Sequence, residues 1–452
     1  MQKRRARIWA SVLGVPLLLA MLAACGAGTS ATGNGGNGGS SSGPITIKIG
    51  TDFPVSGKDE SSGKPAQNGV QIAIADANAQ HLVPNVTFAS AFNDDVGPTG
   101  SHDPAVGQKN INTMVGDPSV AGIIGPFNSS VAQAEMPLAN KAPIALISPA
   151  NTNDCLTQTT PASECGGAND KISTYRPTGK VTYFRIATLD QFQGGSMADF
   201  GFKTKGYHKV YIVDDAETYG VGLANAFQAE VQKLGGTVLG HKSEPATTTS
   251  YIGLLTGIAA THPDAIFFGG NDSTGGTPFR QQMLQVPGLK NTPLMGGDGM
   301  KTSSLARTIG YGNGGPVFAS VATVDATGGA AASTSAAKTF FNTYNKEFGA
   351  SNISAYSASG YDCAMIIMQA VGNAIKNGAK PPTNANDTSA AKTFRQAVID
   401  AIQHISYHGL TGQQSFDQNG DTTNRVITIY TISKNVSTGD GWDVLSTVKV
   451  GK

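Results

Sequence analysis

Apolar positions along the chain fall into two periods that take turns from Ile45 onward. Ile45, Ile47 and Ile49 alternate with polar neighbours, as in a half-buried strand; Ala66, Val70, Ile74 and Ala77 then recur at helical spacing. The same order repeats downstream. Val120–Ile124 precedes a helical pattern over Val131–Ala142, and Ile144–Ile147 follows it. Val210–Val213 leads into Gly222–Leu234, and Ala265–Phe268 into Thr277–Leu284 before Leu294–Met295. Strands that alternate with helices predict mostly parallel sheets covered by helices, an α/β fold. Longer helical patterns near Ala332–Phe348, Ala355–Ile375 and Ala390–His404 precede an expected closing strand pair at Gln414–Phe416 and Val426–Thr431. With 452 residues the chain exceeds one comfortable core, so two lobes and a cleft between them are expected.

Upstream of that body the pattern is different. Residues 1–24 run from a basic start through the apolar stretch Ile8–Leu22 to small residues, which is the build of an export signal. The stretch is shorter than the ~20 residues that span a bilayer, and Pro16 interrupts it, so a transmembrane anchor is not expected. It closes in Leu22-Ala23-Ala24-Cys25-Gly26, which resembles the bacterial lipobox, where the cysteine becomes the lipidated first residue; the alternative is ordinary cleavage with Cys25 as a bystander. Residues 26–43 contain almost nothing that could be buried and read as a flexible tether spanning about 25 Å.

Composition narrows the classes further. With 39% hydrophobic and 14% charged residues and 57 glycines, the chain reads as a turn-rich globular protein. Lys3, Arg4, Arg5 and Arg7 lie in the leader, and removing them leaves 28 basic against 31 acidic residues. No basic stripe exists to hold nucleic acid or an anionic membrane. In an oxidising compartment Cys155 and Cys165 are expected to pair across a short polar loop, while Cys363, in an apolar run, packs as a small hydrophobe. The cysteine spacing lacks the clusters that zinc sites use, and no metal or cofactor is expected.

Ligands of parallel sheets bind beyond the carboxyl ends of the strands. There, Val120–Ile124 runs into Gly125-Pro126-Phe127-Asn128-Ser129-Ser130 at a helix start, where backbone N–H groups, the helix dipole and two hydroxyls suit a carboxylate. The competing reading is that a serine merely caps the helix. Ile144–Ile147 delivers a second polar loop, Ser148-Pro149-Ala150-Asn151-Thr152, in which Thr152 by itself reads equally as a turn residue.

The ordered set IGTDFPVSG, IIGPFNSS, ALISPANT, VDDAETYG, AIFFGGNDSTG, LMGGDG, SASGYD and GQQSFDQNGD resembles the leucine/isoleucine/valine-binding protein family of type I periplasmic binding proteins over roughly residues 44–450. The resemblance implies two Rossmann-like lobes joined by three crossovers that close on ligand like a Venus flytrap. Residues 44–188 and 323–412 would form the first lobe, and 189–322 and 413–452 the second. It also implies that Ser129, Ser130 and Thr152, with their neighbours Ala150 and Asn151, hold a ligand α-carboxylate. Asp298 would stand where family members often carry a glutamate for the α-ammonium, and Tyr219 at the aromatic position of the second lobe. Two positions depart from the family: an aromatic wall of the first lobe falls on Ser62, and a second-lobe tyrosine on Asn271 or Asp272. Alone, Asp298 in Gly-Gly-Asp-Gly would read as a solvated turn acid.

Other signals are weaker. Gly50–Asp59 lacks the spacing and the Ser/Thr of a phosphate loop; His404 and His408 have no third ligand; Asp417–Asp421 reads as a hairpin turn; no nucleophile has an adjacent base. The expectation is therefore a non-enzymatic, monomeric lipoprotein outside the cell membrane that binds a branched-chain or related amino acid for the permease and ATPase of an ABC importer. Binding of short amides, urea or aromatic acids, a ligand-sensing lipoprotein, an enzyme and an adhesin are the alternatives.

Overall fold

The computed structural model describes residues 43–159, 165, 171–327, 331–384 and 386–451. The leader at 1–24, the lipidation site Cys25 and the tether up to residue 42 lie outside the described residues.

Five strands form the first sheet: β1 (Ile45–Phe53), β2 (Val86–Asp94), β3 (Val120–Ile124), β4 (Ala145–Ser148) and β5 (Tyr183–Arg185). They lie in the order β2-β1-β3-β4-β5 and every pair is parallel. Helices α1 (Glu60–Ala79), α2 (Pro104–Gly116) and α3 (Ser129–Lys141) connect the first four. A parallel sheet needs cover on both faces, and β4 shows how the sequence supplies it. Ala145 and Ile147 enter the core shared with α1, whereas Leu146 enters the core on the other face with Met114 and Met136 of α2 and α3.

The second lobe is built around β6 (Lys209–Asp214), β7 (Thr237–Ser243), β8 (Ala265–Gly269), β9 (Leu294–Gly296) and β10 (Val317–Val321), which pair in parallel. Its helices are α4 (Asp190–Asp199), α5 (Thr218–Lys233), α6 (Ile252–Ala259), α7 (Thr277–Met283) and α8 (Ser303–Ile309). Here too one strand feeds two cores: Val317, Ala319 and Val321 of β10 face one, Phe318 the other. The chain then returns through α9 (Ser335–Phe348), α10 (Ala355–Lys376) and α11 (Thr388–Gln403). Residues of α10 and α11 complete the core of the first sheet.

The expected closing pair is not the one that forms. Gln414 pairs with Tyr407 in a small hairpin of β11 (Tyr407–Gly409) and β12 (Gly412–Gln414). Strand β13 (Val426–Ile432) instead lies antiparallel between β10 and β14 (Trp442–Lys449), giving the order β14-β13-β10-β9-β8-β6-β7. Strand β13 is apolar enough for a central position and takes one, with all but one residue buried. The expected turn at Asp417–Asp421 is present, with Asp417 Oδ1 accepting from the Asn419 and Asp421 amides.

The expected disulfide joins Cys155 to Cys165, and Cys363 is a buried free thiol. Among the described residues no helix is long and apolar enough to cross a membrane. Where the chain passes between the lobes its segments lie side by side: the Thr188 amide donates to Ala322 at 2.7 Å, and the Arg185 amide to Gly420 at 3.0 Å.

Candidate functional site

The loops after β3 and β4 are tied together before either meets a ligand. Ser148 Oγ donates to the Pro126 carbonyl at 2.7 Å and accepts from the Asn151 amide at 2.9 Å. Asn151 then donates to the Phe127 carbonyl at 2.6 Å and accepts from the Tyr183 hydroxyl at 2.8 Å. This pairing presents the start of α3. No serine caps it: Asn128 is the N-cap, in an extended conformation and with no side-chain capping bond, so Ser129 is the first helical residue. Asn128 Oδ1 is buried without a partner among the described residues.

The opposite wall comes from the end of β9. Gly297 and Gly299 flank Asp298 because their neighbours come too close for a side chain: a Cβ on Gly297 would run into the Tyr219 hydroxyl, and one on Gly299 would meet Asn271 Oδ1 at 2.5 Å. That approach buries Asp298, and the reading of a solvated turn acid is overturned. Its Oδ1 accepts from Gln193 Nε2 at 2.8 Å and from the Tyr219 hydroxyl at 2.6 Å, and its Oδ2 accepts from the Tyr356 hydroxyl. Burial raises the Asp298 carboxyl above the usual carboxylate range, while the hydrogen bonds from Tyr219, Tyr356 and Gln193 pull it back down. Burial and the neighbouring Asp298 push both phenols well above their ordinary value, which keeps them as donors.

Between these walls lies a small cavity that both lobes line. Six of the expected residues line it: Ser62, Ser129, Ala150, Tyr219, Asn271 and Asp298. Ser130, Asn151 and Thr152 do not. Ser130 is half-buried on the helix behind Ser129. Asn151 spends its amide on the two loops, as described, and Thr152 is buried with its carbonyl accepting from the Asp190 amide at 2.8 Å. Asp272 is also turned away, bonded to Thr277 and Thr302, which leaves Asn271 as the lining residue of that pair.

Sequence reasoning missed Ser61, Phe127, Asn128, Gly299, Lys301, Ser354 and Tyr356, which complete the lining. Tyr356 stands next to the SASGYD segment, but nothing in its local pattern separates a cavity tyrosine from a core one. Its ring packs edge-on against Phe127 at 4.9 Å, and its hydroxyl crosses to Asp298. Lys301 is locked by Asp325 at 3.2 Å and Asp440 at 2.6 Å.

Two α/β lobes with a cavity between them, a helix N-terminus on one wall and a buried carboxylate on the other, define a two-lobed binding protein. The chain belongs to the periplasmic binding protein family, whose model matches residues 46–439. It is 26% identical over 356 residues to the Leu/Ile/Val-binding protein BraC3 of Rhizobium johnstonii, covering 77% of this chain and 88% of that one. The match spans just under two thirds of the length of two other curated relatives. In fold it is similar to the leucine binding protein LivK of Thermotoga maritima (TM-score 0.70, 22% identity, 89% of this chain and 99% of that one). It is equally similar to a solute binding protein of an ABC transporter from Rhodopseudomonas palustris solved with 4-hydroxybenzoate (TM-score 0.70, 18% identity, 89% and 97%).

Proposed function

We propose that this chain is the extracytoplasmic solute-binding protein of an ABC importer and that it captures a branched-chain or related amino acid in the interlobe cavity. One observation carries this reading: Asp298, a buried carboxylate on one lobe, shares its cavity with the open N-terminus of α3 on the other. The two ends of an α-amino acid are the complement of those walls. Its carboxylate would rest on the α3 amides, Ser129 and the Ala150 loop, and its ammonium on Asp298 beside Tyr219. Asn151 and Thr152 would act from behind, by fixing the loops. A ligand that needs both walls is held only when the lobes are together, so occupancy and closure are coupled, and a permease can read the closed shape. The leader and Cys25 would place the protein on the outer face of the cell membrane by a lipid anchor, which mass spectrometry of the mature N-terminus tests directly.

The Rhodopseudomonas relative motivates a second reading, an aromatic acid, which shares the carboxylate and lacks the ammonium. A thermal-shift screen of the leaderless protein against amino acids, short amides, urea and aromatic acids separates the two. Ligand at a hundred times its dissociation constant should stabilise the protein by about 2.7 kcal/mol. Asp298→Ala should keep the fold and lose amino-acid binding by roughly 100-fold or more, since it leaves a buried ammonium unpaired. Unchanged affinity in that variant would remove Asp298 as the ammonium partner and favour the aromatic acid.

A further inference from the structure

We propose that the part of the cavity that receives the ligand side chain selects an uncharged hydrogen-bonding group, a carboxamide or hydroxyl, over an aliphatic one, which narrows the branched-chain or related amino acid proposed above to the related, polar kind; this rests on the amino-acid reading of the site. With the α3 N-terminus and Asp298 assigned to the two ends of the amino-acid head, the lining that remains sets beside the Phe127 and Tyr356 rings the polar groups of Ser61 and Ser62 from the first turn of α1, Asn271 just after β8, and Ser354 at the cap of α10. Their hydrogen-bonding capacity is largely unspent. Ser61 and Ser62 are half-buried, and neither hydroxyl bonds to another described residue. The Asn271 side-chain oxygen faces the Thr274 amide in a capping box, and its side-chain nitrogen bonds to no other described residue. Ser354 Oγ accepts the Tyr356 amide at 3.2 Å, so its proton remains to be donated.

An aliphatic side chain closing onto these groups would strip their water and return nothing, and each stranded donor lowers affinity by roughly tenfold. A carboxamide fits the inventory well. Its oxygen can accept from Asn271 and Ser354, and its nitrogen can donate to the serine hydroxyls. Charged side chains fit less well. Among the described residues the one lining cation, Lys301, is already neutralised by Asp325 and Asp440, and the one lining carboxylate, Asp298, is engaged by three donors and assigned to the ligand head.

Calorimetry on the mature chain with L-glutamine, L-asparagine, L-threonine, L-leucine, L-valine, L-glutamate and L-lysine tests this without any substitution. At least one of the amide or hydroxyl amino acids should bind about tenfold or more tightly than leucine and valine. The ratio should fall in Ser62→Ala and again in Asn271→Leu. Leucine or valine binding at least as tightly as every polar probe would overturn the inference and leave the amino-acid site standing. Tightest binding by glutamate or lysine would overturn it too. If no α-amino acid binds while 4-hydroxybenzoate or urea does, the reading of the head-group site falls, and this inference with it.

Discussion

Glu135 and Asp298 are both acids removed from water, and their neighbours treat them differently. Asp298 is given three donors. Glu135 is given another acid: it is fully buried beside Asp52, with Asp95 nearby, and burial followed by those two carboxyls pushes it well above its ordinary value. Burial likewise raises Asp52 to about 6, despite the hydrogen bonds from Glu135 and from Asn110 at 2.8 Å. Groups that hold protons more tightly folded than unfolded stabilise the protein in acid. That contribution is complete below the unfolded carboxylate range near pH ~4 and is lost as pH rises through about 6 for Asp52. Glu135→Gln gives Asp52 a permanent donor at nearly the same volume. Melting temperature followed from pH 4 to 7.5 should therefore fall a few degrees less in the variant than in the parent. Parallel curves would show that the pair does not share a proton.

At the level of elements, the cavity depends on a close crossing of two helices. Gly69 of α1 faces the Ser357 carbonyl of α10, and Gly360 of α10 faces the Ala66 carbonyl of α1, so that a Cβ at either position would run into backbone. The crossing sets the height of α10, whose N-cap and first turn carry Ser354 and Tyr356 into the cavity, while Asp362 two turns on accepts from the Tyr407 hydroxyl and the Leu410 and Thr411 amides. Gly69→Val should cost about 1–3 kcal/mol in denaturant unfolding and weaken ligand binding as well, because the helix that shifts is the one that lines the site. A loss of stability with binding intact would uncouple the crossing from the cavity.

Across the whole molecule, several bonds join the lobes directly. Tyr356 reaches Asp298, the Asn153 amide nitrogen donates to the Thr218 carbonyl at 2.9 Å, and Thr218 Oγ1 donates to Gln133 at 3.3 Å. Of these, Tyr356 alone ends on the residue proposed to hold the ammonium. Removing its hydroxyl in Tyr356→Phe keeps the ring against Phe127 and takes away one tie. Small-angle scattering of the free variant should give a larger radius of gyration than the parent, and saturating ligand should narrow the difference. Equal radii without ligand would mean that this bond does not hold the lobes together.

The sequence by itself determined the alternation of strands and helices, since burial of both faces of a parallel sheet forces continuous apolar runs such as Val120–Ile124 and Ala265–Gly269. It also marked the strand ends where Ser129, Ala150 and Asp298 stand, and the pairing of Cys155 with Cys165. Edge and amphipathic strands such as β7 and β14 went unread because much of their length is exposed or only half-buried, and their periodicity is diluted. Only the tertiary structure decided that β13 pairs with β10 and β14, that Tyr356 enters the cavity from a helix far along the chain, and that Asp298 is buried rather than solvated. The reason is physical: local pattern reports which side of an element avoids water, whereas the company a polar group keeps once it is buried depends on which elements the fold brings opposite it.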